Sequence, residues 1–433
     1  MCSTRSKISR SPVLYDPFTG VYEAVLSNGL KLLVLERPDV PAVVSLMGYR
    51  VGSIQEVEGE TGMAHFLEHL MFKGSRRFPK GYVDMTTARY GGRNNAFTSR
   101  DLTAYYFRFP KEHWEKALEI EADRMRFLQF DPREVEAERG VILEEIRMTQ
   151  DSPLDFLDQQ VAASAFLCHP YRHPILGWRS DVENMRIVDL RRFYRRHYHP
   201  RNAFMVLVGD LNHVEALRRV RHHFGRFRGR LPSPRRRMTE PPFRGERRVQ
   251  LESEVELSRI QMFYHSVSRG HPDHHALDLA SHVLAAGRSS RLQERLVNKR
   301  QLFLEINAFQ MPRCEGGVFE VYGQVRPGIT EKRAERAIRS ELQSLAKTPP
   351  SQEELERARR QLLADHLFGQ EDILSQAVLV AQEESLVGFR SLGRVREEVR
   401  SVTPRDISRV VKTYCLEQGC CVGVLTPRTH SEK

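Results

Sequence analysis

The sequence lacks any apolar run near the roughly 20 residues that a membrane-crossing helix needs; its longer runs, such as 203–208, stop far short. No helical membrane segment is therefore expected. Cysteine is scarce: the six (2, 168, 314, 415, 420 and 421) show no paired metal-ligand spacing, and adjacent Cys420 and Cys421 suit a disulfide framework poorly. A reducing compartment follows, with the cytoplasm as the default and an organellar matrix or the periplasm as alternatives. No phosphate-cradling glycine loop and no nucleophile elbow occur, which argues against nucleotide-binding and serine-hydrolase chemistry. The first fifteen residues contain Arg5, Lys7 and Arg10 but no acid and no secretory apolar core, so they read as a flexible leader. What is present is ordinary globular material: 433 residues, 40% hydrophobic and 28% charged, with Gly 27 and Pro 22 spread through the chain. That length suits two domains of about 200 residues each.

The formal net charge is +11, and much of it is local. Nine arginines fall between Arg226 and Arg248 against only Glu240 and Glu246. No aromatic-interleaved groove or recognition-helix pattern accompanies them, so a solvated basic segment is expected and no nucleic-acid partner. Pro232-Ser-Pro-Arg-Arg-Arg-Met-Thr-Glu-Pro-Pro242 has four prolines and no apolar period, which stops both helix and sheet. The expected organisation is an N-terminal domain over 15–229, a basic Pro-rich linker over 230–247 and a C-terminal domain over 248–430.

Elements recur in the same order on both sides of the linker. The first half offers strands at 31–36 and 43–49 and a compact apolar helix at 62–72. Further on come a strand at 104–109, helices near 111–128, 132–149 and 186–198, and a strand at 204–208. The second half offers strands at 248–252 and 260–265 and a helix at 274–286. Aligning the compact helices on Gly74 and Gly287 sets Asp278-Leu-Ala-Ser-His282 opposite His65-Phe-Leu-Glu-His69, as in a duplicated domain with one functional copy. The fold class expected is α+β: two homologous domains, each an antiparallel sheet flanked by helices.

The chemistry concentrates in Thr61-Gly-Met-Ala-His-Phe-Leu-Glu-His-Leu-Met-Phe-Lys-Gly-Ser75. His65, Glu68 and His69 stand at i, i+3 and i+4, so one helix face carries all three. Their neighbours Met63, Ala64, Phe66, Leu67, Leu70, Met71 and Phe72 are apolar. Two imidazoles and a carboxylate in such surroundings are expensive unless something satisfies them. A zinc ion does: imidazoles one turn apart can reach one ion, and the carboxylate between them sits beside the open position as general base. A histidine pair satisfied within a core is the bland alternative. By chance H-x-x-E-H should occur about 0.06 times in a chain of this composition, which favours the metal.

A third protein ligand should come from another element. The helix expected over 132–149 carries Glu134, Glu138 and Glu145 along one stripe, while Glu144 points about 100° away. Glu145 is taken as the third ligand, and Glu138, two turns earlier, as a group orienting a ligand imidazole. His169-Pro-Tyr-Arg-His173 also has an i, i+4 pair, but its prolines forbid a helix and a structured turn is expected. His197, His199, His222, His223, His271, His274 and His275 show no carboxylate partners in the sequence and read as solvated or capping residues.

With these residues in view, the chain resembles the inverted-zincin metallopeptidases of the pitrilysin and mitochondrial processing peptidase type, whose signature is H-x-x-E-H. The likeness runs through Val51-Gly-Ser53, Gly62 to Gly74, Gly91-Gly-Arg-Asn-Asn-Ala-Phe-Thr-Ser99, Glu138-Arg-Gly-Val-Ile-Leu-Glu-Glu145 and His169 to Gly177. Gly209-Asp210 and Gly287-Arg-Ser-Ser-Arg-Leu292 extend it into the second half. The family's spacing puts the third ligand 76 residues beyond His69, at Glu145. The resemblance implies a zinc endopeptidase with one Zn2+ per chain, held by His65, His69 and Glu145, with Glu68 as catalytic base and Glu138 behind the ligands. It also implies that Asn95 and Ala96 bind substrate backbone by strand addition. Two chains, either a homodimer or a heterodimer with a related zinc-less chain, would close as a clamshell around unfolded peptides. One departure stands out: the arginine and tyrosine that active members often carry in the second half are replaced by Val297 and Leu304, with Tyr322 a candidate substitute. A catalytically silent scaffold of the same fold is the alternative function.

Overall fold

The computed structural model describes residues 12–228 and 238–428. Residues 1–11, residues 229–237, which include Arg230 and Arg235 to Arg237 of the expected linker, and the chain beyond 428 lie outside the described residues. The last part of the expected leader, 12–15, is described, and there Leu14 and Tyr15 belong to a strand rather than to a flexible segment, because they pair with Glu23 and Tyr22.

Seven strands form the first sheet: β1 (Leu14–Asp16), β2 (Val21–Val25), β3 (Lys31–Glu36), β4 (Ala42–Tyr49), β5 (Arg93–Thr98), β6 (Thr103–Pro110) and β7 (Ala203–Gly209). Their order is β1-β2-β3-β7-β4-β6-β5. β4 and β7 read as nearly continuous apolar runs rather than alternating ones, because they lie mid-sheet and are buried on both faces. β5, Arg-Asn-Asn-Ala-Phe-Thr, is polar and lies at the edge. The second sheet holds β8 (Arg247–Ser253), β9 (Arg259–Ser266), β10 (Phe303–Arg313), β11 (Gly316–Val325) and β12 (Cys421–Pro427), in the order β10-β11-β9-β12-β8. Both sheets are mainly antiparallel with flanking helices, as the α+β expectation has it. Each adds one parallel pair, β3 with β7 and β12 with β8.

The described chain divides into two units that do not follow chain order. One comprises the residues up to Val141, those from Ser180 to the linker, and Gly369–Gly393; the other takes Ile142–Arg179, the chain from the linker to Phe368, and Arg394 onward. Thus the late helix Ile373–Leu386 packs on β4 and β7, where Ile373, Ala377, Val380 and Ala381 join a core with Val44, Leu46, Val206 and Val208. The early helix Pro153–Ala165 packs on β8 and β12. Gly423 permits this: a Cβ there would stand 2.3 Å from Val161 Cγ2. The sequence boundaries at 229 and 248 cut the chain once, and these two segments cross them. Among the described residues no helix is long and apolar enough to cross a membrane.

Candidate metal centre

The helix Met63–Leu70 begins where a buried carboxylate accepts its first donors. Glu56 takes the backbone N–H groups of Gly62 and Ala64, each at 2.8 Å. Gly62 itself is left-handed, at φ 87°, a conformation glycine adopts without a Cβ penalty. Burial pushes the Glu56 carboxyl up to about 8, although both backbone donors pull it down. A carboxyl raised in the folded state contributes stability that is complete below its ordinary value near 4.5 and lost as pH rises through about 8. Glu56→Gln cannot ionise, so the Tm of the wild type should fall relative to this variant between about pH 4.5 and 8. Thermal melts at the two ends of that window check it; a constant Tm difference would reject it.

Five of the helix's eight residues, Met63, Ala64, Phe66, Leu67 and Leu70, are buried. His65, Glu68 and His69 form its half-buried face, as the i, i+3, i+4 spacing predicts. The two imidazole rings stand 4.7 Å apart at 66°. Burial, then the neighbouring His69, push the His65 imidazole down to about 3. It therefore stays neutral and keeps a lone pair for a metal.

The second contribution comes from the helix Pro132–Asp151, which is continuous through the boundary between the units. Arg139 ties it to the turn at 182–185 by donating to the carbonyls of Val182 and Met185, the latter at 2.8 Å. Its glutamates separate by partner. Glu134 pairs with Lys80 at 2.7 Å, and exposed Glu144 pairs with Arg147 at 2.6 Å. Buried Glu138 lies with Oε2 3.1 Å from His69 Nδ1 and Oε1 2.7 Å from Lys73 Nζ. Glu145 joins His65 and His69 in a group whose ligand atoms all lie within 4.8 Å of one another. Two imidazoles and a carboxylate at that separation are a donor set suited to a zinc-class ion. Lys73 was not singled out from the sequence; it lies in the bend just past the helix, where helical spacing gives no guide to its partner.

Asn95 and Ala96 lie on β5, against which the site helix packs. The outer edge of β5 is unpaired by any described strand, and the Ala96 N–H donates to Asn95 Oδ1 at 2.9 Å. In the second unit Val297 is partly buried in a π-helical turn, Gln293–Lys299, and Leu304 is exposed on β10. Tyr322 lies on β11 with the Arg259 guanidinium 4.4 Å from its ring. His169 to His173 forms the expected turn, a 3-10 helix over Pro170–Arg172 capped by the His169 ring.

Several histidines differ from expectation. His197 and His199 are buried, and His223 lies 3.0 Å from a Glu115 oxygen. His274 and His275 are buried too and face Asp278, with Glu398 beside His275. The carboxylate partners are non-local for His223 and for the His275–Glu398 contact, while Asp278 sits at i+4 from His274 and was legible.

An α+β frame carrying H-x-x-E-H on a helix beside a sheet edge, with a glutamate brought alongside from a second helix, has the features of a zinc metallopeptidase. The chain belongs to the M16 peptidase family: residues 34–178 match the family model described as insulinase (peptidase family M16), and 185–362 match that of the peptidase M16 inactive domain. It is 29% identical over 396 residues to the zinc protease PqqE of Helicobacter pylori, covering 90% of this chain and 89% of that protein. An uncharacterized zinc protease of Bacillus subtilis, YmxG, is 25% identical over 90% of this chain and 94% of its own length. The crystal structure of a protease from Helicobacter pylori superposes with a TM-score of 0.89 at 28% identity, over 94% of this chain and 99% of that one.

Proposed function

We propose that this protein is a zinc-dependent endopeptidase acting on unfolded peptides, with His65, His69 and Glu145 holding the ion. The convergence of those three side chains, with Glu68 on the same helical face, carries the reading. When bound, zinc supplies Lewis acidity to water and to the scissile carbonyl. Glu68 accepts the proton of the attacking water and returns it to the leaving amine. Glu138 holds the His69 ring through Nδ1, which would leave Nε2 as the nitrogen to bind the ion. Substrate backbone adds to the free edge of β5, and Asn95 releases the Ala96 N–H as the peptide arrives. Only an extended chain can pair in this way, which selects unfolded substrates. Two chains close as a clamshell, and a second chain or Tyr322 supplies the substrate contacts missing at Val297 and Leu304.

The test is cleavage of unstructured peptides by the purified protein, alone and with a candidate partner chain. Activity should vanish with a chelator and return with zinc. Stoichiometric zinc with no cleavage under either condition would favour the silent scaffold. A separate expectation concerns Glu138→Ala: zinc affinity should fall about 10–100-fold, read by competition with a chromophoric chelator. Unchanged affinity would remove Glu138 from the assembly.

A further inference from the structure

We propose a second divalent-cation site, built by His274, His275 and Asp278 at the start of the helix His274–Ala285. It lies wholly within the second unit and does not depend on the peptidase reading. The three residues offer ligand atoms that all lie within 4.8 Å of one another. His274 Nε2 stands 3.0 Å from Asp278 Oδ2, and His275 Nδ1 stands 3.6 Å from the same oxygen. Two metal bonds of about 2.1 Å meeting at the tetrahedral angle set their ligand atoms about 3.4 Å apart, so both separations suit ligands of one ion.

The 3.0 Å contact would serve a plain hydrogen bond equally well, but the 3.6 Å contact is too long for one. His275 decides between them. Its ring is buried, its Nε2 lies 3.0 Å from Glu398 Oε2, and its Nδ1 has no hydrogen-bond partner among the described residues. With the proton on Nε2 for Glu398, the Nδ1 lone pair faces a carboxylate oxygen that can only accept. Two acceptors turned toward one another in a buried place repel unless a proton or a metal ion lies between them, and 3.6 Å is too far for a proton to bridge in a good hydrogen bond. One ring nitrogen directed at a metal, with the other donating to a carboxylate, is how ligand imidazoles are held.

Nearby protein cations are engaged elsewhere. Arg409 pairs with Asp273 at 2.7 Å and Arg394 with Glu398 at 3.5 Å. Two imidazoles and one carboxylate select a borderline ion of the zinc class rather than calcium or magnesium. Glu398 belongs to the helix Val395–Ser401, so an ion here would join the start of one helix to another through the His275 ring. Its role is structural.

The experiment uses the full-length chain, stripped of metal, titrated with zinc and analysed for metal after desalting. The wild type should hold two equivalents, and both His65→Ala/His69→Ala and His275→Gln/Asp278→Asn should hold one. Retention of one equivalent by the His65→Ala/His69→Ala variant supports the site, and retention of none overturns it. That variant leaves the helix His274–Ala285 intact, so it answers even if the second variant fails to fold. Failure of the peptidase reading looks different: zinc content of the wild type and the His65→Ala/His69→Ala variant would then be equal.

Discussion

Glu68→Gln is expected to lower peptide cleavage by about 10²–10⁴-fold while leaving the zinc content unchanged. The substitution keeps the size of the side chain and its place on the half-buried face of Met63–Leu70. It removes the one property the proposal needs, a basic oxygen able to take a proton from water. Glutamine donates where glutamate only accepts, so the attacking water loses its base. Because Glu68 lies between His65 and His69 in sequence without being a ligand, metal analysis separates the two roles. Undiminished cleavage would reject Glu68 as base. A parallel loss of zinc would mean that it supports the ion instead. The fall should appear in kcat more than in KM, since proton transfer belongs to the transition state.

The site helix was legible because its information is local. Three polar side chains at i, i+3 and i+4 inside an apolar octet leave few alternatives, and the structure places them on one face. The helix phase of 132–149 was nearly as informative, since it put Glu134, Glu138 and Glu145 on one stripe. What periodicity could not do was sort that stripe. Lys80 takes Glu134, and His69 together with Lys73 takes Glu138, pairings made by distant segments. Glu56 was invisible for the same reason: it caps a helix that begins seven residues later, without the spacing of a local capping motif. The strands at 31–36 and 43–49 follow from their apolar runs. The exchange of Pro153–Ala165 and Ile373–Leu386 between units does not, because an amphipathic face records that it is buried, not which sheet buries it. His274 and His275 were set aside as lacking carboxylate partners, although Asp278 stood four residues after His274.

The largest expected effect on stability lies behind the site rather than in it. Glu121 and Arg124, on the helix Glu115–Phe127, are both almost completely buried. Arg124 Nε donates to Glu121 Oε2 at 2.9 Å, and a second guanidinium nitrogen donates to Oε1. The same guanidinium lies 4.4 Å from the Tyr105 ring centroid and 5.4 Å from that of Phe107, both on β6. It also approaches Phe72, just past the site helix, at 5.6 Å. Tyr105 in turn pairs with Ala96 on β5. The ion pair thus underlies the strand edge proposed to take substrate. Glu121→Ala leaves a guanidinium buried with no counter-charge, and should destabilise the fold by about 3–5 kcal/mol. Glu121→Leu/Arg124→Met removes both charges and should recover most of that loss, since no ion remains to be desolvated. Urea unfolding of the three proteins measures the difference. A single variant that loses under about 1 kcal/mol would show that water reaches the guanidinium, and a double variant as unstable as the single would show that shape, not charge, is what β6 requires of this pair.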